Sequence, residues 1–371
     1  MPAGWDEARN LLAVRLDALG DVLMTTPALR ALKQRPGRRV TLLTSPAGAE
    51  IGPLVPEIDD VLVYEAPWMK ATPPRTDSRP DFAMIETLRA GRFDGAVIFT
   101  VYSQNPLPAA FLCELADVPL RLAHCHENPY QLLTDWVPDD EPERGIRHEV
   151  RRQLDLVATV GARTHDERLS MRVPSAARAR VERLLARLGV DEVRPWLVIH
   201  PGASAPSRRY PAEGFAAVAG QLARADGWQV VFNGSADERP LVDQIRAAMG
   251  APSWSLAGQL RLEELAALLE RAPMLLSNNT GPVHVACALG TPVVDLYALT
   301  NPQHTPWGVP NRVLFHDVPC RDCYRSVCPE GHHNCLRLVE PTAVVAAVRE
   351  LAAERTRARV SSIRPEEACT P

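Results

Sequence analysis

The chain reads as an α/β protein made of two doubly wound, Rossmann-like domains facing a central cleft. Three observations predict this. Short apolar runs of strand length alternate with amphipathic helical segments through both halves, the pattern of parallel βα units. Several of those runs open directly onto a polar or glycine-bearing turn that starts a helix, as in LLAVRLDALGD, VIHPGAS, VVFNGSADE and LLSNNTGP. At 371 residues the chain is too long for one average core and comfortable for two.

Composition narrows the class. Apolar residues make up 46% and charged residues 23%, as in a soluble globular protein. A net charge of -4 argues against a dedicated nucleic-acid partner. No apolar run reaches the length of a membrane span, and MPAGWDEARN has no signal-peptide pattern. A cytoplasmic protein is expected, with any membrane contact peripheral.

In order, residues 11–16 (LLAVRL) form a buried-type strand. Gly20 marks a tight turn, and Asp21 sits where a helix running to about Lys33 begins, suited to an N-cap or to a general base facing a crevice. Thr25, Thr26 and Pro27 fall inside that helix and are expected to kink it or restart it. Strands follow at 39–44 and 61–64, a helix at 81–90 and a strand at 95–100. The intervening segment APWMKATPPRTDSRP is a Pro-rich loop carrying Trp68, Lys70, Arg75 and Arg79. The stretch RLAHCHENPYQLLTDWVPDD reads as a polar, His-rich loop, with His124 and His126 as surface rather than metal ligands. Residues 147–160 read as a helix with a basic face, and 161–174 as a linker.

The second half starts with a helix at 176–188 and a strand at 196–200 that opens onto HPGASAPSRRYP. A glycine turn followed by Arg208 and Arg209, at a strand's carboxyl end, favours a phosphate ligand. Strand 229–233 leads to Glu238 at an acidic helix start. The stretch MLLSNNTGPVHVACALGTPVVDLYAL is one βαβ unit. Asn278, Asn279 or Thr280 can cap its helix, Gly281 permits close backbone approach, Pro282 suits the first turn, and Gly290 with Pro292 ends it. Such a helix start suits a diphosphate, with His284 in reach of the same anion. Finally, Cys320, Cys323, Cys328 and Cys335 gather four thiols beside His332 and His333. The CxxC spacing suits zinc or an iron-sulfur cluster, while the other two spacings match neither a zinc ribbon nor a ferredoxin.

Taken together, AVRLDALGDVLMTTPALRAL, FDGAVIF, RHEVRRQLDL, IHPGASAPSRRYP, NGSADE, SLAGQLRLEELAALL and SNNTGPVHVACALGTPVVDLY resemble glycosyltransferase family nine, the bacterial ADP-heptose:lipopolysaccharide heptosyltransferases. The resemblance implies a GT-B fold with an N-terminal acceptor-binding domain at 1–165 and a C-terminal nucleotide-sugar-binding domain at 166–340. A terminal helix at 341–357 would pack back on the first domain, followed by a flexible tail at 358–371. It implies an inverting, metal-independent transfer of a sugar, foremost heptose from ADP-heptose, to a lipopolysaccharide-core or related glycan or glycolipid acceptor.

Residue by residue, the resemblance implies Asp21 as catalytic base. Thr280, Gly281 and His284 would hold the donor diphosphate, Arg208 would stand where the family commonly has lysine, and Glu238 would contact the nucleoside. Asn279, at the donor-sugar contact, stands where the family usually has an acid. Gly20, Thr25 and Arg75 are read as acceptor-side or turn residues. Transfer itself would need no cofactor, zinc or an iron-sulfur cluster at the four cysteines being a structural extra. A monomer at the inner face of the inner membrane is expected. Two other readings share these motifs: a different GT-B nucleotide-sugar enzyme such as an epimerase, and a non-catalytic metal- or redox-binding protein using the cysteines.

Overall fold

The structure, a computed structural model, describes residues 4–363, and among them the backbone forms two six-stranded sheets. One lies in each of the two units into which the chain divides, Met1–Arg172 and Val173–Pro371. The division falls inside the segment read as a linker. Among the described residues no helix is long and apolar enough to cross a membrane.

The first unit runs β1 (Asn10–Arg15), α1 (Leu19–Lys33), β2 (Arg39–Thr44), α2 (Pro46–Ala49), β3 (Asp60–Val63), α3 (Arg79–Gly91), β4 (Gly95–Ile98), α4 (Leu107–Leu115), β5 (Leu120–Cys125), β6 (Asp135–Pro138) and α5 (Glu149–Ala158). Its sheet is parallel, in the order β3-β2-β1-β4-β5-β6. Strands to one side of β1 come earlier in the βα series and those beyond β4 come later. The β1/β4 boundary is therefore the switch point, where open sheets of this kind leave a crevice at the strands' carboxyl ends. Leu12 and Val14 of β1 and Ala96 and Ile98 of β4 are buried among Leu88, Phe93, Ala110 and Leu112, which supply the apolar cover from α3 and α4.

Two expectations are corrected here. Helix α1 is continuous through Pro27 rather than restarting there. The missing proline N–H leaves the Leu23 carbonyl without its helical partner, and the Thr26 hydroxyl supplies one at 2.7 Å. The segment read as a His-rich loop contains β5 and β6, and His124 is buried in β5 rather than on the surface. Polar residues are tolerated there because they are paired: Arg121 donates to the carbonyls of Leu132 and Gln131 at 2.8 and 2.9 Å, and burial lowers the His124 pKa to about 4, keeping the ring neutral. Helix α5 forms as read, with part of its polar face buried. Arg152 is buried on a bidentate pair with Asp139 at 2.9 and 2.5 Å.

The second unit runs α6 (Ser175–Leu188), β7 (Trp196–His200), α7 (Ala212–Asp226), β8 (Gln229–Phe232), α8 (Arg239–Met249), β9 (Trp254–Ser255), α9 (Leu262–Arg271), β10 (Leu275–Asn278), α10 (Gly281–Ala288), β11 (Val293–Leu296), β12 (Asn311–Leu314), α11 (Asn334–Arg337) and α12 (Pro341–Ile363). The sheet order β12-β11-β10-β7-β8-β9 repeats the first unit's winding, with its switch point between β7 and β10. Gly290 (φ 76°) follows α10 as expected, in the left-handed region that glycine enters without strain. The terminal helix, expected to return to the first domain, packs on α7, β11 and β12 of its own unit. Its Val344, Val345, Val348 and Leu351 are buried with Val218 and Leu222. It also runs past 357, so 358–363 are helical rather than tail, and 364–371 lie outside the described residues.

Candidate active site

At the first switch point the carboxyl ends of β1 and β4 open into a cavity of about 570 Å³, lined in part by Asp17, Asp21, Trp68, Lys70, Phe99 and Gln104. Asp21 is the third residue of α1. Its Oδ2 accepts the Ala18 N–H at 3.2 Å, which satisfies one orphan amide of the helix start, and its Oδ1 accepts from Arg15 Nη2 at 3.2 Å. The carboxylate is thus held in place yet remains partly exposed to the cavity. Both readings offered by the sequence, helix-start partner and crevice-facing carboxylate, hold for this one side chain.

Arg15 is the buried centre of the cluster. Its guanidinium meets Asp17 at 3.1 Å, Asp21 at 3.2 Å and Glu149 of α5 at 2.7 Å, with no exposed side-chain surface of its own. Burial opposes its charge, but Glu149, Asp17 and Asp21 outweigh that and hold its pKa above the ordinary value. Beside it, burial, opposed by Arg15 and reinforced by Asp21, raises the Asp17 pKa to about 6, and Gln104 Nε2 donates to it at 2.5 Å. Sequence reasoning missed Arg15, Asp17 and Glu149. The signal it had was an arginine inside the apolar run LLAVRL, where a charge is retained only if partnered.

The Pro-rich loop reaches this cavity through Trp68 and Lys70, with Trp68 edge-on to Tyr64 at 5.7 Å. Arg75, read as acceptor-side, is not part of the lining. It donates to the Glu65 carbonyl at 2.7 Å and pairs with Asp81, which also accepts the Tyr64 hydroxyl at 2.5 Å, so it anchors the loop. Gly20 does not form a tight turn: it is a buried residue in the first turn of α1 and has no left-handed φ. Thr25 is buried too, its hydroxyl donating to the Asp21 carbonyl at 2.8 Å.

The second unit's switch point gathers the turns after β7, β8 and β10. Thr280 is the N-cap of α10 but its side chain makes no capping bond, so its hydroxyl does not close the helix start. The two asparagines expected as caps are spent elsewhere. Asn278 Oδ1 accepts the Tyr210 N–H at 2.9 Å and its Nδ2 donates to the Pro201 carbonyl at 2.7 Å, tying the HPGAS turn to β10. Asn279 Nδ2 donates to Asp295 Oδ2 and to the His304 carbonyl, both at 2.9 Å. His284 is buried in the helix one turn in, with its ring edge-on to His304 at 6.5 Å.

Glu238 lies against the HPGAS turn. A Cβ on Gly202 would fall 1.8 Å from Glu238 Oε1, so any larger residue would push the Glu238 carboxylate out of its place, where Oε2 accepts the Ser235 N–H at 2.8 Å. Beside it His200 is buried, which lowers its pKa, while Glu238 opposes that shift. Arg208 is half-buried and forms no ion pair among the described residues. Burial pushes the Tyr297 hydroxyl up, Asp295 adds to that, and Arg208 opposes it, which places the Arg208 charge beside this same group of turns. Asp295, missed by sequence reasoning, sits fully buried in β11, and burial raises its pKa to about 7. Again the signal was a charge inside an apolar run, here VVDL.

The four cysteines of the last loop are free thiols, and among the described residues no group of three or more His, Cys, Asp or Glu is placed to hold a metal ion. Cys320 Sγ lies 3.9 Å from His332 Nε2. Cys320 and Cys335 pack instead against Tyr297, Leu299 and Val318, and burial raises the Cys335 pKa. Among the described residues the arrangement of these thiols lends a zinc or iron-sulfur site no support.

Comparison with known proteins bears on both units. A family model described as glycosyltransferase family 9 (heptosyltransferase) matches residues 82–334. Lipopolysaccharide heptosyltransferase 2 of Salmonella typhimurium is 25% identical over 353 residues, which is 93% of this chain and 99% of that protein. The glycosyl transferase family 9 structure from Veillonella parvula superposes with a TM-score of 0.78 at 22% identity, covering 95% of this chain and 99% of that one. The ADP-heptose lipopolysaccharide heptosyltransferase II of Escherichia coli gives 0.71 at 22%, covering 94% and 99%. At such identities the two structures speak for a shared fold.

Proposed function

Because the chain belongs to glycosyltransferase family 9, the heptosyltransferase family, we propose that this glycosyltransferase moves heptose from ADP-heptose onto a lipopolysaccharide-core acceptor, inverting the anomeric centre without a metal ion. The observation that carries the reading is the Asp21 carboxylate, anchored by Arg15 and Ala18 and lining a cavity at a switch point.

Asp21 takes the proton of the acceptor hydroxyl as that oxygen attacks the anomeric carbon. The bond from this carbon to the β-phosphate oxygen breaks, and ADP leaves with the electron pair. A single displacement of this kind inverts the configuration. A positioned base contributes about 10² to 10⁴-fold. The leaving diphosphate needs positive potential. The start of α10, which the Thr280 side chain does not cap, supplies amide N–H groups and about half a unit charge, and Arg208 supplies a whole one. Glu238, held against Gly202, is assigned to the nucleoside, and Thr280, Gly281 and His284 to the diphosphate. Trp68 and Lys70 are assigned to the acceptor.

Incubation with ADP-heptose and a heptose-deficient lipopolysaccharide core tests the proposal. The expected result is ADP release matched by a mass gain of one heptose on the acceptor, unchanged by EDTA. Consumption or epimerisation of ADP-heptose at the same rate without acceptor would overturn it.

A further inference from the structure

Asp295 occupies a position where the fold has no use for a carboxyl group. It pairs in register with Ser277 of β10 and Val313 of β12, its strand neighbours Val293, Val294 and Leu296 are fully buried, and so is Asp295 itself. Its Oδ1 is buried without a hydrogen-bond partner, and its Oδ2 has one, the Asn279 amide at 2.9 Å. A buried polar atom left in this state is costly to the fold. A valine would suit β11 better on packing grounds alone.

What Asp295 does is fix the sense of Asn279. An amide has two N–H donors and one carbonyl oxygen, and its two ends are nearly the same shape. Here both donors are spent inward, one on Asp295 and one on the His304 carbonyl. That carbonyl is itself held, since the His304 N–H donates to the Tyr297 hydroxyl at 3.3 Å. Among the described residues Asn279 Oδ1 takes no hydrogen bond, and the residue directly precedes the Thr280 N-cap. An outward carbonyl oxygen accepts from a hydroxyl and repels phosphate oxygens. Beside a diphosphate site, it selects the sugar side of the donor.

We infer that Asp295 is a positioning residue of the donor site, holding Asn279 with its amide oxygen presented as an acceptor to a hydroxyl of the donor sugar. The inference rests on the proposed function for the existence of a sugar nucleotide at this turn. It adds a specificity element: a donor lacking the contacted hydroxyl leaves Asn279 Oδ1 unpaired and binds more weakly.

The test is calorimetric binding of ADP and of ADP-heptose to the full chain, read as the ratio of the two affinities. Asp295→Val removes the acceptor with a residue that the strand favours. It is expected to lower the ratio about tenfold, one lost hydrogen bond, while ADP affinity stays within about twofold. Asp295→Asn, whose amide oxygen can still accept the inward Asn279 N–H, is expected to keep the wild-type ratio. Either a wild-type ratio in Asp295→Val, an equal loss of ADP and ADP-heptose binding, or a tenfold drop in Asp295→Asn overturns the assignment. Should Asp295→Val fail to fold, Asp295→Ala takes its place with the same expected drop. A wild-type chain that binds neither nucleotide overturns the proposed function itself.

Discussion

At the residue scale the chemistry is set by how few charges are shared among how many partners. Arg15 meets Asp17, Asp21 and Glu149 at once, and burial raises the Asp17 pKa to about 6. The sign of the pH effect follows. Asp17 has a folded pKa of about 6 against 3.8 unfolded, so between those values the folded chain binds more protons and its stability falls as pH rises. Asp17→Asn removes that dependence, which amounts to about 3 kcal/mol across the window. Urea midpoints at pH 4 and pH 7 should therefore differ less in Asp17→Asn than in wild type; an equal difference would mean that Asp17 ionises normally. The Asp21 carboxylate, proposed above as the base, was legible in the sequence because Gly-Asp at a helix start is a local pattern. Its environment was not, since Glu149 stands 134 residues from Arg15 and nothing local announces the pairing.

At the element scale, side chains repair what the backbone cannot do. Helix α1 carries a proline in its interior, and Thr26 closes the gap, its hydroxyl donating to Leu23 and accepting the Ser170 N–H at 3.1 Å. Thr26→Val keeps shape and burial but leaves both groups unpaired, a cost of about 1–3 kcal/mol per group. Chemical denaturation should show that loss with the helix otherwise intact. An unchanged midpoint would show that the hydroxyl does not matter to α1. Propensity reasoning went wrong at Pro27 because it counts the missing N–H without seeing the neighbour that replaces it. It failed at β5 for a similar reason, because Arg121 and His124 look like loop residues until their buried carbonyl partners are known. The two glycine turns of the second unit were each legible alone. That Glu238 of one rests on Gly202 of the other was not, because contact between loops depends on the sheet order that brings them together.

At the scale of the whole molecule, the same winding occurs twice, β3-β2-β1-β4-β5-β6 and then β9-β8-β7-β10-β11-β12 read from the opposite edge. That repetition was foreseeable from the alternation of apolar runs and glycine turns, since parallel βα units admit few arrangements. It also fixes where chemistry can occur. Each unit offers one switch point, the first furnished with a carboxylate and the second with a helix start that its N-cap side chain leaves open. What periodicity could not reveal were the ionisable groups hidden inside strands, Arg15 and Asp295, which read as interruptions of an apolar pattern yet hold Asp21 and Asn279 in place. The account stands on the division of labour between the two switch points, acid–base work in one and donor binding in the other. Asp21→Asn tests that division most directly, through ADP-heptose affinity and single-turnover transfer measured on the same preparation. The account predicts donor affinity within about twofold of wild type and transfer slowed by about 10² to 10⁴-fold. Transfer at the wild-type rate with donor bound would contradict it.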